Sequence, residues 1–415
     1  MSGGKSSGPV LAAIEAAAGE MVELMHGLTA IPAVGPASGG PGEAAKGRWL
    51  MERLAAWGFP APQYYPAPCA DVTGGERPNY VVRLKGASAD YTVWVLTHLD
   101  VVPPGEASQW TGDPWTLRVE GDRLIGRGSE DNHQGIVSSV FALKALIEAG
   151  ITPPHDVALA FVSDEETGSG YGAGFLVEHH RDLFGPADRV LIPDAGDEQG
   201  TMIEVAEKSI LWVTFTVQGK QTHGSTPDHG INAHKAGAHL IVMLEGLYED
   251  FPARDELFDP PVSTFEPTLK KANVENINTI PGEDVFAFDC RVLPVYTLEQ
   301  VMTRMRACAD EVEHIFGVKV AIATPQRQPA APPTSPEAPV VETLRQAVRH
   351  VYGVEARPMG IGGGTVAAFF RAAGIPAAVW SRLDDTAHMP DEYCRLSNLV
   401  GDAKVMALLF LGEED

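Results

Sequence analysis

The stretch Val93-Trp94-Val95-Leu96-Thr97-His98-Leu99-Asp100-Val101-Val102 decides how this chain is read. Four apolar, β-prone residues run straight into a polar His-x-Asp, so the segment reads as a buried strand that ends in chemistry. Ligands of α/β sheets bind beyond the carboxyl ends of such strands. Period two puts His98 and Asp100 on the same side. That suits an imidazole that binds a metal while a carboxylate holds it from behind. Alone, the triplet is equally a half-buried strand end with a satisfied histidine, and the rest of the chain decides between the two.

Working outward, Tyr80–Leu84 and Thr92–Leu96 read as neighbouring strands. Gly126-Arg127-Gly128-Ser129-Glu130-Asp131 is a turn, and a helix follows from Gln134 to Ala149 with Gly150 as its stop. A strand over Val157–Val162 enters Ser163-Asp164-Glu165-Glu166-Thr167-Gly168, and another over Arg189–Ile192 ends at Pro193-Asp194. Strands alternating with helices predict an α/β domain with a mostly parallel sheet, covered by helices on both faces. Upstream, Val10–Leu28 and Gly47–Trp57 read as helices joined by a Gly/Pro-rich loop.

Near Lys208 the pattern changes. Strands over Ile210–Val217, Lys271–Asn278, Asp284–Leu293 and Lys319–Ala323 are interleaved with helices over Ala233–Tyr248 and Thr297–Phe316. This β-α-β-β-α-β order is ferredoxin-like and predicts an inserted α+β domain. The proline- and alanine-rich Pro325–Pro339 is the return linker. The first domain resumes with a helix over Glu342–Tyr352, a glycine turn at Gly362-Gly363-Gly364-Thr365, a strand over Ala377–Trp380 and a closing helix over Leu396–Leu411. The expected division is residues 1–207 with 327–415 for the catalytic, metal-binding domain and 208–326 for a lid and dimerisation domain.

A net charge of −24 argues against sequence-independent nucleic-acid binding and against an anionic membrane surface. Cys69, Cys290, Cys308 and Cys394 are scattered and form no Cys-x-x-Cys pair, which disfavours a cysteine zinc site or a disulfide scaffold. The start carries one early lysine, Lys5, but the apolar stretch behind it contains Glu15 and Glu20, so it reads as an amphipathic helix rather than a signal peptide. No apolar run reaches the length of a bilayer, and the expected location is the cytoplasm.

Acidic and histidine groups collect at the predicted strand ends and in the turns after them: His98 with Asp100, Asp131, Glu165-Glu166, Asp194, and His388 within Asp385-Thr386-Ala387-His388-Met389-Pro390. Such ends converge in space. Two histidines with three or more carboxylates suit one or two borderline divalent ions, zinc most naturally. His179-His180 are adjacent rather than spaced for a metal pair. His229, His234 and His239 sit in or near a helix and read as surface groups, and His133 is expected to line the site without ligating. The glycine run lacks the Lys-Ser/Thr of a phosphate-binding loop.

The ordered set Thr97-His98-Leu99-Asp100-Val101-Val102-Pro103, Gly126-Arg127-Gly128 with Asp131, Asp164-Glu165-Glu166-Thr167-Gly168-Ser169, Pro193-Asp194, His223-Gly224-Ser225, Asn278-Thr279-Ile280-Pro281-Gly282, Gly363-Gly364-Thr365 and His388-Met389-Pro390 resembles the M20 metallopeptidases. That family holds glutamate carboxypeptidase, aminoacylase, succinyl-diaminopimelate desuccinylase and PepV-type dipeptidases. The resemblance implies a metal set of His98, Asp131 as bridge, Glu166, Asp194 and His388, holding two divalent ions, Zn²⁺ or else Co²⁺ or Mn²⁺. It implies Glu165 as the general base acting on a metal-bridging water, with Asp100 orienting His98 and His223 polarising the scissile carbonyl. It further implies substrate contacts from Asn278, Arg291, Gly363, Gly364 and Thr365, and a homodimer through the lid.

Two departures bear on substrate choice. Many members carry Met-Lys-Gly-Gly or Asp-Lys-Gly after the bridging aspartate, where this chain has Asn132-His133-Gln134-Gly135. The aspartate often found after Gly-Gly-Thr is Val366 here. The expected activity is hydrolysis of the amide bond of an N-acyl amino acid, a small molecule with a free carboxylate. The alternatives are a dipeptidase, aminopeptidase or carboxypeptidase activity and, remotely, a non-catalytic homologue.

Overall fold

The computed structural model describes residues 7–412, so Lys5 lies outside the described residues. The chain divides into two compact units. The first holds the described residues up to Val205, with Thr334–Pro358 and those from Phe369 on; the second holds Ala206–Pro333 and Met359–Ala368.

Among the described residues the large sheet has eight strands, in the order Gln63–Tyr64, Tyr80–Leu84, His155–Val162, Ser88–His98, Arg189–Asp197, Ala377–Arg382, Met202–Glu207, Arg357–Ile361. Its centre is parallel: Ser88–His98 lies between His155–Val162 and Arg189–Asp197, and Ala377–Arg382 follows in the same sense. These four strands carry the continuous apolar runs, and Val157–Val162, Val190–Ile192 and Ala377–Trp380 are at most 1% exposed.

The expectation of a mostly parallel sheet is corrected to a mixed one. Tyr80–Leu84 pairs antiparallel with His155–Val162, and Met202–Glu207 antiparallel with Ala377–Arg382. The links explain this. Only residues 85–87 join Tyr80–Leu84 to Ser88, and only residues 198–201 join Asp197 to Met202. A parallel return needs a crossover of about a dozen residues, so links this short force the chain to reverse.

Helix Gln134–Glu148 contacts the three central strands Ser88–His98, His155–Val162 and Arg189–Asp197 and is buried without interruption from Gln134 to Leu146, because the closing helix Leu396–Leu411 covers its other side. Beneath that pair the Asp402 carboxylate accepts from Ser381 Oγ at 2.7 Å, Tyr352 Oη at 2.7 Å, Gln134 Nε2 at 2.9 Å and the Arg382 amide at 3.2 Å. Burial pushes its acid up to about 6 in spite of those donors. A folded-state value above the unfolded one means that the protonated acid favours the fold below about pH 4. That contribution is lost as pH rises through about 6, on the order of 2–3 kcal/mol in all. Asp402→Asn is therefore expected to lower stability overall and to flatten the decline of Tm between pH 4 and pH 6, read by thermal melts against wild type. An unchanged slope would remove Asp402 as its source.

The second unit carries a four-stranded antiparallel sheet in the order Thr264–Lys270, Glu283–Val292, Ser209–Gln218, Lys319–Gln328. The central pair runs in unbroken register from Ser209↔Val292 to Gln218↔Glu283. Strict alternation turns Leu211, Val213, Phe215 and Val217 to the same core as Phe286, Phe288, Cys290 and Val292. Helices Ala233–Leu244 and Leu298–Phe316 cover that face. Asn232 caps the first, and a Thr297/Gln300 capping box opens the second.

The strand expected over Lys271–Asn278 lies instead at Thr264–Lys270. It is an edge strand with only Phe265 buried, so its alternation carries little sequence signal. The helix expected over Ala233–Tyr248 breaks at Gly246 into Ala233–Leu244 and Leu247–Asp250, and the last strand continues to Gln328, into the expected linker. The loop carrying Gly363, Gly364 and Thr365 packs with this unit: Glu207 Oε1 accepts from the Thr365 amide and hydroxyl at 2.8 and 2.5 Å. Among the described residues no helix is long and apolar enough to cross a membrane.

Candidate active site

His98 is the last residue of its strand and only 2% exposed. Its Nδ1 lies 3.0 Å from the backbone carbonyl of Asp100 and 3.6 Å from that residue's carboxylate. A carbonyl only accepts, so Nδ1 bears the proton and the lone pair is left on Nε2 in the neutral ring. Nε2 faces Asp131 Oδ1 at 2.8 Å and Asp194 Oδ1 at 3.3 Å. The Asp100 carboxylate is engaged elsewhere: its two oxygens accept from the amides of Glu165 and Glu166, each at 3.1 Å. It thereby holds the turn that follows strand His155–Val162.

Asp131 sits in the irregular turn Ser129–His133 that leads into helix Gln134–Glu148. Its second oxygen, Oδ2, lies 3.1 Å from His388 Nε2, and Glu166 Oε2 lies 3.0 Å from the same nitrogen. Glu166 Oε1 accepts from the Val102 amide at 3.2 Å. Asp194 Oδ1 is steadied by Asn132 Nδ2 at 2.7 Å. Two groups of ligand atoms result, His98–Asp131–Asp194 and Asp131–Glu166–His388, each with its atoms within 4.8 Å of one another. Asp131 belongs to both, one oxygen to each. Imidazole nitrogens with carboxylate oxygens are a donor set that fits a borderline divalent cation.

Glu165 differs from these acids. Among the described residues its carboxylate has no hydrogen-bonding partner, although its amide is held by Asp100. Burial first, and the negative charge of Asp194 next, push its proton affinity well above the ordinary carboxylate range.

The expected metal-set residues, Glu165 and Asp100 therefore come together in the first unit. The other candidates lie in the second and form two groups. His223 pairs in register with Thr279, and the Asn278 carbonyl accepts from the Gly224 amide at 2.6 Å. The Ser225 amide donates to His223 Nδ1 at 3.2 Å. An amide cannot accept, so the neutral ring carries its proton on Nε2. Arg291 is clamped by Asp289 through Nε and Nη2 at 2.7 and 3.0 Å and donates from Nη1 to the Gly362 carbonyl at 2.8 Å, beside Gly363 and Gly364. His133 Nε2 meets the buried Lys46 ammonium at 2.7 Å, and burial lowers the Lys46 amine to about 7.

Several buried supports escaped the sequence reading. Arg77 grips Glu43 and donates to Asp164 Oδ1 at 2.5 Å, bracing the residue before Glu165, whose φ is 70°. Glu130 and Glu392 are buried carboxylates flanking the segments of Asp131 and His388. A charged residue is almost never fully buried without partners, but in sequence each resembles a solvated turn acid, and only its burial gives it away.

A fold with parallel strand ends supplying two histidines and several carboxylates defines a metal-dependent hydrolase. Residues 94–411 match the model of peptidase family M20/M25/M40, and the chain belongs to that family. Over 400 residues it is 38% identical to an uncharacterized metallohydrolase of Methanocaldococcus jannaschii, covering 93% of this chain and 97% of that protein. It is 27% identical to succinyl-diaminopimelate desuccinylase 2 of Shewanella loihica over 65% of this chain and 68% of that one. Among solved structures, aminopeptidase PepT of Bacillus cereus matches with a TM-score of 0.75 at 17% identity, covering 95% of this chain and 98% of that one. Human carnosine dipeptidase 1 matches at 0.73 and 16%, covering 97% of both. The protein is a metallohydrolase acting on amide or peptide bonds, of the peptidase and desuccinylase type. Members of the family use divalent metal ions, and this chain carries the candidate ligand groups for them.

Proposed function

We propose that the protein removes the acyl group of an N-acyl amino acid by hydrolysing its amide bond. The observation that carries this reading is the commitment of the site's acids. Asp100 is spent on two amides, and Asp131, Glu166 and Asp194 belong to the ligand groups, which leaves Glu165 alone without a partner. An acid needed as proton carrier cannot also receive a substrate's α-ammonium, so a blocked amine suits this site better than a free one.

His98, Asp131 and Asp194 would hold one divalent cation and Asp131, Glu166 and His388 a second, zinc before cobalt or manganese. Such ions, when bound, polarise a carbonyl and acidify water. Glu165 takes the proton of the attacking water and delivers it to the leaving amine nitrogen, so the acid ends the cycle as it began. His223 donates its Nε2–H to the carbonyl oxygen as negative charge develops there. Asp289 and Gly362 leave Arg291 one hydrogen on each terminal nitrogen for the substrate carboxylate. Asn278, Gly363, Gly364 and Thr365 complete the substrate contacts.

Metal-stripped protein repleted with Zn²⁺, Co²⁺ or Mn²⁺ is to be tested on N-acetyl and N-succinyl amino acids beside dipeptides. Turnover of blocked amines alone is the expected result. Turnover of free-amine dipeptides alone would replace the deacylase with a dipeptidase, and metal binding without any turnover would favour a non-catalytic homologue.

A further inference from the structure

Asp131 and His388 stand 257 residues apart in sequence, on two segments that cross-brace each other through buried acids. Glu130, 3% exposed and next to Asp131, sends its carboxylate onto the loop before His388. Oε1 accepts from the Asp384 amide at 2.7 Å, and Oε2 accepts from the amides of Thr386 and of Ala387, the latter at 2.9 Å. The Thr386 hydroxyl stands 3.0 Å from Oε2 and 2.7 Å from the Tyr393 carbonyl and shares one proton between them. In return Glu392, fully buried and four residues after His388, accepts from the amides of Gly128, Glu130 and Asp131 at 3.1, 3.0 and 3.1 Å and from Arg127 Nη1 at 2.5 Å.

The loop that Glu130 grips needs a grip. Asp385 and His388 both have left-handed backbones, with φ of 60° and 65°, a conformation that non-glycine residues hold only when their surroundings fix it. His388 is also exposed, so packing does little to aim its ring. Three amides converging on one carboxylate fix the segment from Asp384 to Ala387, and His388 is the next residue. A single carboxylate can accept all of them at once; a neutral amide side chain has only one acceptor oxygen.

We propose that Glu130 is a positioning residue that sets His388 against Asp131 and Glu166, and so governs the second of the two cation sites without serving the first. Glu392 is its counterpart: it holds the backbone of Asp131, which both sites share, and so serves both. The inference rests on the two-cation reading above.

The test is a calorimetric titration of metal-stripped protein with Zn²⁺, together with metal content after desalting. Wild type is expected to take two equivalents. Glu130→Gln should take the first as wild type does and bind the second about 10- to 100-fold more weakly, the size expected when a supporting partner of a ligand is lost. Glu392→Gln should weaken both. Glu130→Asp, which keeps the charge on a shorter arm, should restore part of the second affinity and covers the case in which Glu130→Gln folds poorly. Two unchanged equivalents in Glu130→Gln, with only Tm lowered, would reduce the residue to a structural brace and overturn the inference alone. An equal loss at both sites would overturn its selectivity. A wild type that takes a single equivalent would sink the two-cation reading and the inference with it.

Discussion

Glu165→Gln is expected to lower kcat by about 10²- to 10⁴-fold while metal content stays at the wild-type level. The expectation follows from what the carboxylate touches. Its neighbours Asp131, Glu166 and Asp194 are engaged with His98, His388 and Asn132, whereas the Glu165 side chain has no hydrogen-bonding partner among the described residues. Its position is set through its amide, which Asp100 holds, so the amide variant keeps the turn in place and loses only the group that can take a proton. Steady-state kinetics with elemental analysis separate the two effects. Retained turnover would remove Glu165 from the proton path, and lost metal would make it a ligand instead.

Asp131→Asn is expected to have the largest effect on metal. Its two oxygens are divided, Oδ1 toward His98 and Oδ2 toward His388. Asparagine keeps one neutral oxygen and turns a donor toward the other side. Both equivalents should weaken by more than about 100-fold, beyond what losing a supporting partner costs. Asp194→Asn touches only the group of His98 and should spare the other. The same titration reads both variants, and equal losses in the two would contradict a shared Asp131.

Much of this was legible because the chemistry lies at ends of strongly patterned strands. Val93–Leu96, Val157–Val162 and Val190–Ile192 are apolar without interruption, and His98, Glu165-Glu166 and Asp194 stand where those runs stop. The edge strand Thr264–Lys270 was missed because one buried phenylalanine makes no pattern. The role given to the Asp100 side chain was only half visible. Period two places it beside His98, but whether the ring meets the carboxylate or the carbonyl depends on backbone direction past the strand, and the carbonyl is nearer.

The sequence by itself determined the alternation of strand and helix, the change of pattern near Lys208 and the ordered motifs that name the family, since each is written in local periodicity and residue type. Only the tertiary structure decided that the sheet is mixed, that Gly363, Gly364 and Thr365 pack with Glu207, and that Glu130 and Glu392 brace the segments of Asp131 and His388. The physical reason is common to all three. Strand direction, loop packing and the burial of a charge are settled by partners more than a hundred residues away or on another strand, and a buried carboxylate with three amide donors is spelled with the same letter as one in water.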